Sequence, residues 1–222
     1  MSRVAVAGRV AVSGRSGIPL QQNLLRRSND FANASWTKSA LTVSANTIAN
    51  PVDATVNGST LVEDSTNTQH FANPASFENT VLSHVYTLSV HAKAATRGFL
   101  LITDGGFVSR AYYNLSTGVL GQTSGTSTTT LARTITAVGS GWYRCRWTYV
   151  VSGNAGSNIM FILPANADGA TSYLGTGSDA IYVYEAQITL GTAVTDIVHT
   201  DAAFIGNTGK PPRGRAVGRV AI

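Results

Sequence analysis

Short segments in which hydrophobic and polar residues alternate recur along the central part of the chain. The clearest covers residues 142–151, which place on one face Tyr143, Cys145, Trp147, Tyr149 and Val151, and on the other Arg144, Arg146 and Thr148. A period of two residues is typical of a β-strand that has one face in the core. The same period predicts strands at 83–93 and 181–190. In the last of these, the inward set is predicted to be Tyr182, Tyr184, Ala186, Ile188 and Leu190.

Turn residues separate these segments and indicate how the strands connect. Residues 98–103 and 107–115 flank Asp104-Gly105-Gly106, which predicts a β-hairpin because glycine accepts the positive φ of tight turns. Further strands are predicted at 41–48, 59–64, 131–138 and 157–163, a helical turn at 30–36, and a loop at 121–130. The pattern predicts an all-β fold, an antiparallel two-sheet jelly-roll sandwich over residues 20–205.

Composition agrees with a single β domain. The chain has 222 residues, of which 43% are hydrophobic and only 12% charged, so it is long enough to bury a sizeable core. Cys145 is the single cysteine, which excludes an internal disulfide and a zinc site built from cysteines. The sequence has no run of about 18 apolar residues, so we expect no membrane partner.

The basic residues are concentrated in two terminal segments, 1–19 and 206–222, which we call the arms. The arms carry seven of the 16 basic residues and, within 1–17 and 210–222, no acidic residue, which leaves nine basic and eleven acidic residues between them. Gly8-Arg-Val-Ala-Val12 near the start resembles Gly218-Arg-Val-Ala-Ile222 at the end. The residues predicted to act in assembly are Arg3, Val4, Val6, Arg9, Val10, Val12, Arg15, Arg213, Arg215, Arg219, Val220 and Ile222.

Alternation within the arms indicates strands that need an edge to pair with. We therefore interpret them as assembly arms that add strands to neighbouring subunits. Two other interpretations are solvated tails and contact with nucleic acid. Nucleic acid is the weakest partner candidate because no aromatic residues lie between the arginines.

Several segments resemble a known family of virion proteins. They are Asn23-Leu-Leu-Arg-Arg-Ser-Asn-Asp-Phe31 with Trp36, Tyr86-Thr-Leu-Ser-Val-His-Ala-Lys93, Gly141-Trp-Tyr-Arg-Cys145 and Ile181-Tyr-Val-Tyr-Glu-Ala-Gln187. In their order they resemble the carbohydrate-binding-module-like sandwich of tailed-phage head spikes, head fibres and tail fibres, over about residues 22–200. This sandwich serves both in sugar recognition and in decoration. The arms, and Val194-Thr-Asp-Ile-Val198, depart from the family pattern.

A search for catalytic and metal-binding patterns finds none that is convincing. The sequence has no Gly-x-Ser-x-Gly elbow, and Gly206-Asn-Thr-Gly-Lys210 is too short for a Walker loop. The four histidines, His70, His84, His91 and His199, lack metal-ligand spacing, and Cys145 faces inward. We therefore expect a protein that is not an enzyme and that has no cofactor or metal.

Aromatic rings next to hydrogen-bonding side chains are the groups with which proteins bind sugars. The candidate glycan-binding residues are Trp36, Tyr112, Trp142 and Tyr173. The alternative for Trp36 and Trp142 is a structural role in which they close the ends of the sandwich.

The leading functional hypothesis is a structural protein of a bacteriophage virion. It would be a capsid decoration, head spike or fibre subunit, located in the virion, assembled in the host bacterial cytoplasm, and fastened by its arms. Its expected partners are capsid or other virion proteins and further copies of itself, as a trimer or dimer with exchanged strands. The alternative is a glycan-binding, receptor-recognition module of a phage tail or head fibre.

Overall fold

Two six-stranded antiparallel sheets face each other in the computed structural model, which describes residues 23–75, 80–153 and 161–192. The all-β, two-sheet antiparallel sandwich predicted from the sequence is confirmed. Within the described residues, no helix is long and apolar enough to cross a membrane. Both arms, with every assembly residue predicted on them, lie outside the described residues, as do His199 and residues 194–198.

The strands are numbered in chain order. The first sheet has the strand order β1 (Trp36–Ser39), β5 (Phe71–Pro74), β12 (Phe161–Ala165), β7 (Phe99–Thr103), β8 (Arg110–Asn114), β9 (Val119–Ser124). The second sheet has the order β10 (Thr128–Gly139), β11 (Trp142–Val151), β6 (Val85–Ala94), β14 (Ala180–Leu190), β3 (Val56–Glu63), β2 (Leu41–Ala49). A two-stranded ribbon is formed by β13 (Tyr173–Leu174) and β4 (Asn67–Thr68).

The alternation in β11 and β6 orients the second sheet. Cys145, Trp147, Tyr149 and Val151 are completely buried in the main core, as are Leu88 and Val90 of β6. The residues between them face away from the first sheet, as the sequence pattern predicts. β11 and β6 pair over nine consecutive positions, from Trp142 opposite Lys93 to Val150 opposite Val85.

The inward set predicted for β14 is wrong in its first half, and its last member, Leu190, is 57% exposed. Its buried core residues are Ile181, Val183, Ala186 and Ile188, whereas Tyr182 and Tyr184 face outward beside β6. The reason is a β-bulge at Glu185, which has a φ of 45° and inserts one residue into the alternation. The bulge lies where one edge of β14 changes partner. Residues 180–183 of β14 pair with β3, and after the bulge β14 is hydrogen-bonded to residues 24–28, with Ala186 N–H donating to Ser28 O at 2.9 Å.

Two local predictions were also wrong. Residues 121–130 are not a loop, because β9 and the start of β10 occupy most of this stretch and only residues 125–127 connect them. Its threonines are β-branched residues that suit exposed edge strands, so low hydrophobicity hid the strands. Residues 30–36 form successive turns and no helix, with Asn33 N–H bonded to Asp30 O and Trp36 N–H bonded to Asn33 O, at 3.1 and 3.0 Å.

The predicted hairpin is confirmed as the β7–β8 pair. Phe99 lies opposite Asn114 and Thr103 lies opposite Arg110. The turn between them is stabilised by Asp104, whose side chain accepts a hydrogen bond from Val108 N–H at 2.7 Å and another from the Ser127 hydroxyl.

Candidate functional site

The outward side of the second sheet is covered with polar and aromatic side chains, and we call it the polar face. Because paired residues of neighbouring strands point the same way, the strand register arranges the residues of the polar face in rows. The rows are Trp142, Lys93 and Tyr182; Thr136, Arg144, His91 and Tyr184; Thr134, Arg146, Ser89 and Gln187; and Ala132, Thr148, Thr87 and Thr189.

The polar face has a buried floor and a more accessible rim. The floor consists of short or central side chains, of which Ser89, His91 and Gln187 are only 2%, 4% and 1% exposed. Lys93, Arg144, Arg146 and Tyr182 are longer and remain half-buried, and Thr134 and Thr136 on the edge strand β10 are exposed. A molecule lying on this face can therefore contact the charged and hydroxyl groups of the rim.

One end of the polar face is aromatic. The rings of His91 and Tyr184 lie 6.0 Å apart at an angle of 40°. Trp142 is 1% exposed and reaches towards Gly58 of β3, where a side-chain Cβ would lie 3.5 Å from Trp142 Cη2 and 2.8 Å from Ile48 Cγ2. Gly58 is therefore required for the close packing of Ile48 at this end.

Electrostatics on the polar face are dominated by cations. Burial, together with the charges of Arg144 and Arg146, lowers the pKa of His91 to about 4, so its imidazole is neutral at pH 7. His91 Nδ1 is buried and has no hydrogen-bond partner within the described part of the chain. Burial also raises the pKa of Tyr184, and a hydrogen bond to Glu185 raises it further, so this hydroxyl stays protonated.

The other end of the polar face contains a pocket of about 180 Å³. Its lining consists of Thr87, Ala132, Arg133, Thr134, Arg146, Thr148 and Thr192. The Thr87 and Thr148 hydroxyls are hydrogen-bonded at 3.0 Å, and Thr87 also donates to Gly191 O at 2.8 Å. The rows that contain the pocket are thus rich in hydroxyl groups, whereas the rows that contain Trp142, Tyr182 and Tyr184 are rich in rings.

The four aromatic candidates predicted from the sequence do not come together in the structure. Trp142 lies on the polar face. Trp36 is part of the main core, with its Nε1 donating to Arg27 O at 2.9 Å and its ring 4.6 Å from Phe31. Tyr112 is 1% exposed on the outer side of the first sheet and shares a 2.9 Å hydrogen bond with Thr171.

Tyr173, the fourth candidate, belongs to a buried charged cluster near the β13–β4 ribbon. Its hydroxyl donates to Glu63 Oε2 at 2.7 Å, and Arg97 binds the same carboxylate through Nε and Nη2 at 3.0 and 2.5 Å. Burial alone would raise the pKa of Glu63, but the hydrogen bonds from Arg97, Tyr173 and Thr176 N–H outweigh it and lower this pKa. These groups satisfy one another and serve to hold the ribbon against β3.

The other residues singled out in the sequence have structural surroundings. Cys145 is completely buried, and burial raises the pKa of its thiol far above the ordinary range, which confirms its assignment to the core. His70 is completely buried between Ala40 O and Tyr173 O, at 2.7 and 3.3 Å from its ring nitrogens. Among the described residues, no three His, Cys, Asp or Glu side chains cluster in a way that could hold a metal ion.

Sequence reasoning missed most of the polar face. It placed Arg144 and Arg146 outward correctly, but assigned Tyr182 and Tyr184 to the core and gave His91 and Gln187 no role. The available signal was the polar half of each alternating strand: Thr87, Ser89, His91 and Lys93 all face the same side as the two arginines. Only strand order, which sequence does not give, shows that these halves are adjacent.

Comparison with known proteins gives structural similarity at low sequence identity. The sequence matches no protein-family model and no curated protein. Among solved structures, it is similar to the CBM22-1 xylan-binding domain of Paenibacillus barcinonensis Xyn10C, with 12% identity and a TM-score of 0.39 over 78% of this chain and 97% of that one. A second is the enzymatically active domain of tailspike protein 4 of bacteriophage CBA120, with 13% identity and a TM-score of 0.44 over 76% of this chain and 21% of that one.

A third similar structure is the CBM22-1–GH10 part of Clostridium thermocellum xylanase Xyn10B, with 10% identity and a TM-score of 0.43 over 81% of this chain and 30% of that one.

Proposed function

We propose that this chain is a glycan-binding module without catalytic activity, and that the polar face is its binding surface. The observation that carries the proposal is the combination of groups on one sheet. Tyr182, Tyr184 and Trp142 lie at one end, and Arg146, Gln187 and the threonines continue from them across β10, β11, β6 and β14. The half-buried ring of Tyr182 supplies apolar contact to a pyranose, and the guanidinium and hydroxyl groups of the rim supply the hydrogen bonds that orient it. Trp142, Tyr184 and Gln187 are only 1%, 3% and 1% exposed and belong to the buried floor.

The shape of the polar face suits an extended ligand. A fully paired sheet repeats every 4.7–4.9 Å between strands, so four strands offer a surface on the order of 15 Å across, enough for several sugar units. The outer side of the first sheet differs in chemistry, since Phe71, Phe107 and Phe161 cluster there with ring centroids 4.8 to 5.5 Å apart. The centre of that side is this cluster of phenylalanine rings and not rows of charged and hydroxyl groups, which is why we place the glycan on the second sheet.

An experiment that tests this proposal combines a glycan array with NMR. The full chain is first screened on the array, and any glycan bound is then titrated into ¹⁵N-labelled protein. We expect amide shifts concentrated on Ser89, His91, Arg146 and Gln187, with the β7–β8 hairpin unaffected. Absence of any bound glycan, or shifts confined to the first sheet, would contradict the proposal.

A second candidate function, compatible with the first, is that of a bacteriophage virion component. The observation that favours it is the repeated Arg-Val-Ala pattern of the two arms, Gly8–Val12 and Gly218–Ile222. In this proposal the arms fasten a decoration, spike or fibre subunit to the particle, by adding strands to neighbouring copies or to capsid proteins. The polar face then points outward from the virion, where a host glycan can reach it.

A further inference from the structure

We infer that the glycan recognised by the polar face is acidic, and that Arg146 binds a sugar carboxylate at the threonine-lined pocket. This inference rests on the proposed function and adds the chemical class of the ligand. It starts from the pocket between β10, β11 and β6, where Arg146 lies beside the hydroxyls of Thr87, Thr134 and Thr148. No acidic side chain is among the residues described as lining it.

Arg146 is the lining residue whose charge is directed to this pocket. Arg133 also lines it, but the Arg133 guanidinium is held by main-chain oxygens of the other sheet: Nη2 donates to Gly121 O at 2.8 Å, and Nη1 donates to Gln122 O at 2.9 Å. Arg146 makes no ion pair with any described residue, and its Nε is buried without a hydrogen-bond partner there. A carboxylate bound at Arg146 accepts a charge-assisted hydrogen bond from the guanidinium. Because the site is partly buried, water is a poorer acceptor there than the carboxylate.

The charge distribution along the polar face also favours an anionic ligand near Arg146. Lys93, Arg144 and Arg146 are its cations, and Glu185 is its one acidic residue within the described strands. Glu185 is hydrogen-bonded to Tyr184, at the aromatic end, and Asp53 lies in the β2–β3 connection, also near Tyr184. Lys93 and Arg144 share rows with Tyr182 and Tyr184, so these two cations are balanced by the two acidic residues of the aromatic end. Arg146 is the cation of the other end, where no acidic residue lines the pocket, and it is there that an anionic substituent is attracted.

Neutral sugars are the competing ligand class, since a guanidinium also donates to hydroxyl groups. Charge separates the two classes, because a neutral hydroxyl does not neutralise Arg146 and a carboxylate does. The difference between a charged and a neutral acceptor is expected to be about tenfold or more in affinity. Binding of an acidic glycan is also expected to weaken as salt is raised.

The test uses matched glycans that differ only in charge. The full chain is screened against oligogalacturonates and their methyl esters, and against sialylated glycans and their desialylated forms. We expect the acidic member of at least one pair to bind about tenfold or more tightly, and Arg146→Gln to abolish that preference. Arg110→Gln removes a positive charge from the first sheet and is expected to leave the preference intact.

A second variant controls for the case in which Arg146→Gln fails to fold. Thr134 lies on the exposed edge strand β10 and lines the same pocket, so Thr134→Val is expected to keep the unfolding midpoint and to reduce binding of the acidic member. Equal binding of both members of every pair overturns the acidic-glycan inference and leaves the proposed function standing. Failure to bind any glycan, acidic or neutral, overturns both.

Discussion

His91 of β6 and Arg144 of β11 occupy directly paired positions, with both side chains on the polar face of the second sheet. Two groups that both carry charge at low pH thus share a site that is largely removed from water. Burial first, and then the positive charges of Arg144 and Arg146, hold the pKa of His91 at about 4. The face accepts a neutral imidazole and disfavours an imidazolium.

This arrangement predicts that stability falls as the solution becomes mildly acidic. In the unfolded chain His91 takes up a proton near its ordinary pKa of 6.5, whereas in the folded chain it does so only near 4. The folded state therefore binds fewer protons between these values, and the free energy of unfolding decreases as pH drops through this window, by roughly 3 kcal/mol at full effect. Urea unfolding at pH 7 and pH 4.5 measures this decrease in the free energy of unfolding.

Matched variants assign the effect to His91. His91→Gln cannot be protonated and is expected to show a much flatter stability profile between pH 6.5 and 4.5. His84→Gln is the control, because His84 is exposed in the segment before β6. An unchanged pH dependence in His91→Gln would contradict the assignment.

Tyr182 is the best position at which to test the aromatic end of the proposed glycan site. It is half-buried on the outward side of β14, so Tyr182→Ala removes a ring from the polar face without opening the core. We expect glycan affinity to fall about tenfold or more, with the free energy of unfolding changed by about 1 kcal/mol or less. Phe99→Ala, which removes a half-buried ring from the first sheet, is the control, and an equal loss of affinity in that variant would argue against the site.

The comparison of β11 with β14 shows how far the sequence predicts this structure. In β11 the alternation runs unbroken, so the inward Cys145 and Trp147 and the outward Arg144 and Arg146 follow from a period of two. In β14 the same reasoning failed at Tyr182 and Tyr184, because one bulged residue exchanges the two faces and leaves no mark in the hydrophobic pattern.

The site was less predictable than the fold for a related reason. Each strand contributes only three or four residues to the polar face, and in the sequence most of them look like ordinary solvent-facing polar side chains. Their proximity depends on the order β10-β11-β6-β14, in which β6 and β14 are separated by about 90 residues of sequence. Trp142 was identified as a candidate, but His91 and Gln187 of the same face were not.

The Glu63–Arg97 pair predicts an asymmetry between single and double substitutions. The Glu63 side chain is completely buried and that of Arg97 is 16% exposed, so removing one partner leaves an uncompensated charge. We expect Arg97→Met to destabilise the protein by about 3–5 kcal/mol, and Glu63→Gln/Arg97→Met to recover a substantial part of that loss. Denaturant unfolding of both variants checks this, and a double variant that is less stable than either single one would contradict it.

The arms can be tested separately from the sandwich. Deletion of residues 1–17 removes none of the strands that the structure describes, so we expect a soluble protein with the same unfolding midpoint that is no longer incorporated into particles. Two variants of the full chain separate strand pairing from charge: serine at Val4, Val6, Val10 and Val12, or glutamine at Arg3, Arg9 and Arg15. Loss of incorporation in the serine variant alone indicates strand addition, whereas normal incorporation of the deleted form would exclude the N-terminal arm as an anchor.

The bulge at Glu185 predicts that deleting this residue is far more harmful than replacing it. Without it, an unbroken alternation in β14 forces either Tyr184 towards the core or Ala186 and Ile188 out of it. Exposing Ile188 alone costs about 1.5–3 kcal/mol, and residues 24–28 would lose their register with β14 as well. Glu185→Gly keeps the chain length and favours the φ of 45°, so it is expected to remain folded and to retain the positions of Tyr182 and Tyr184. Comparing the two variants by denaturant unfolding checks the prediction, which fails if the deletion is as stable as Glu185→Gly.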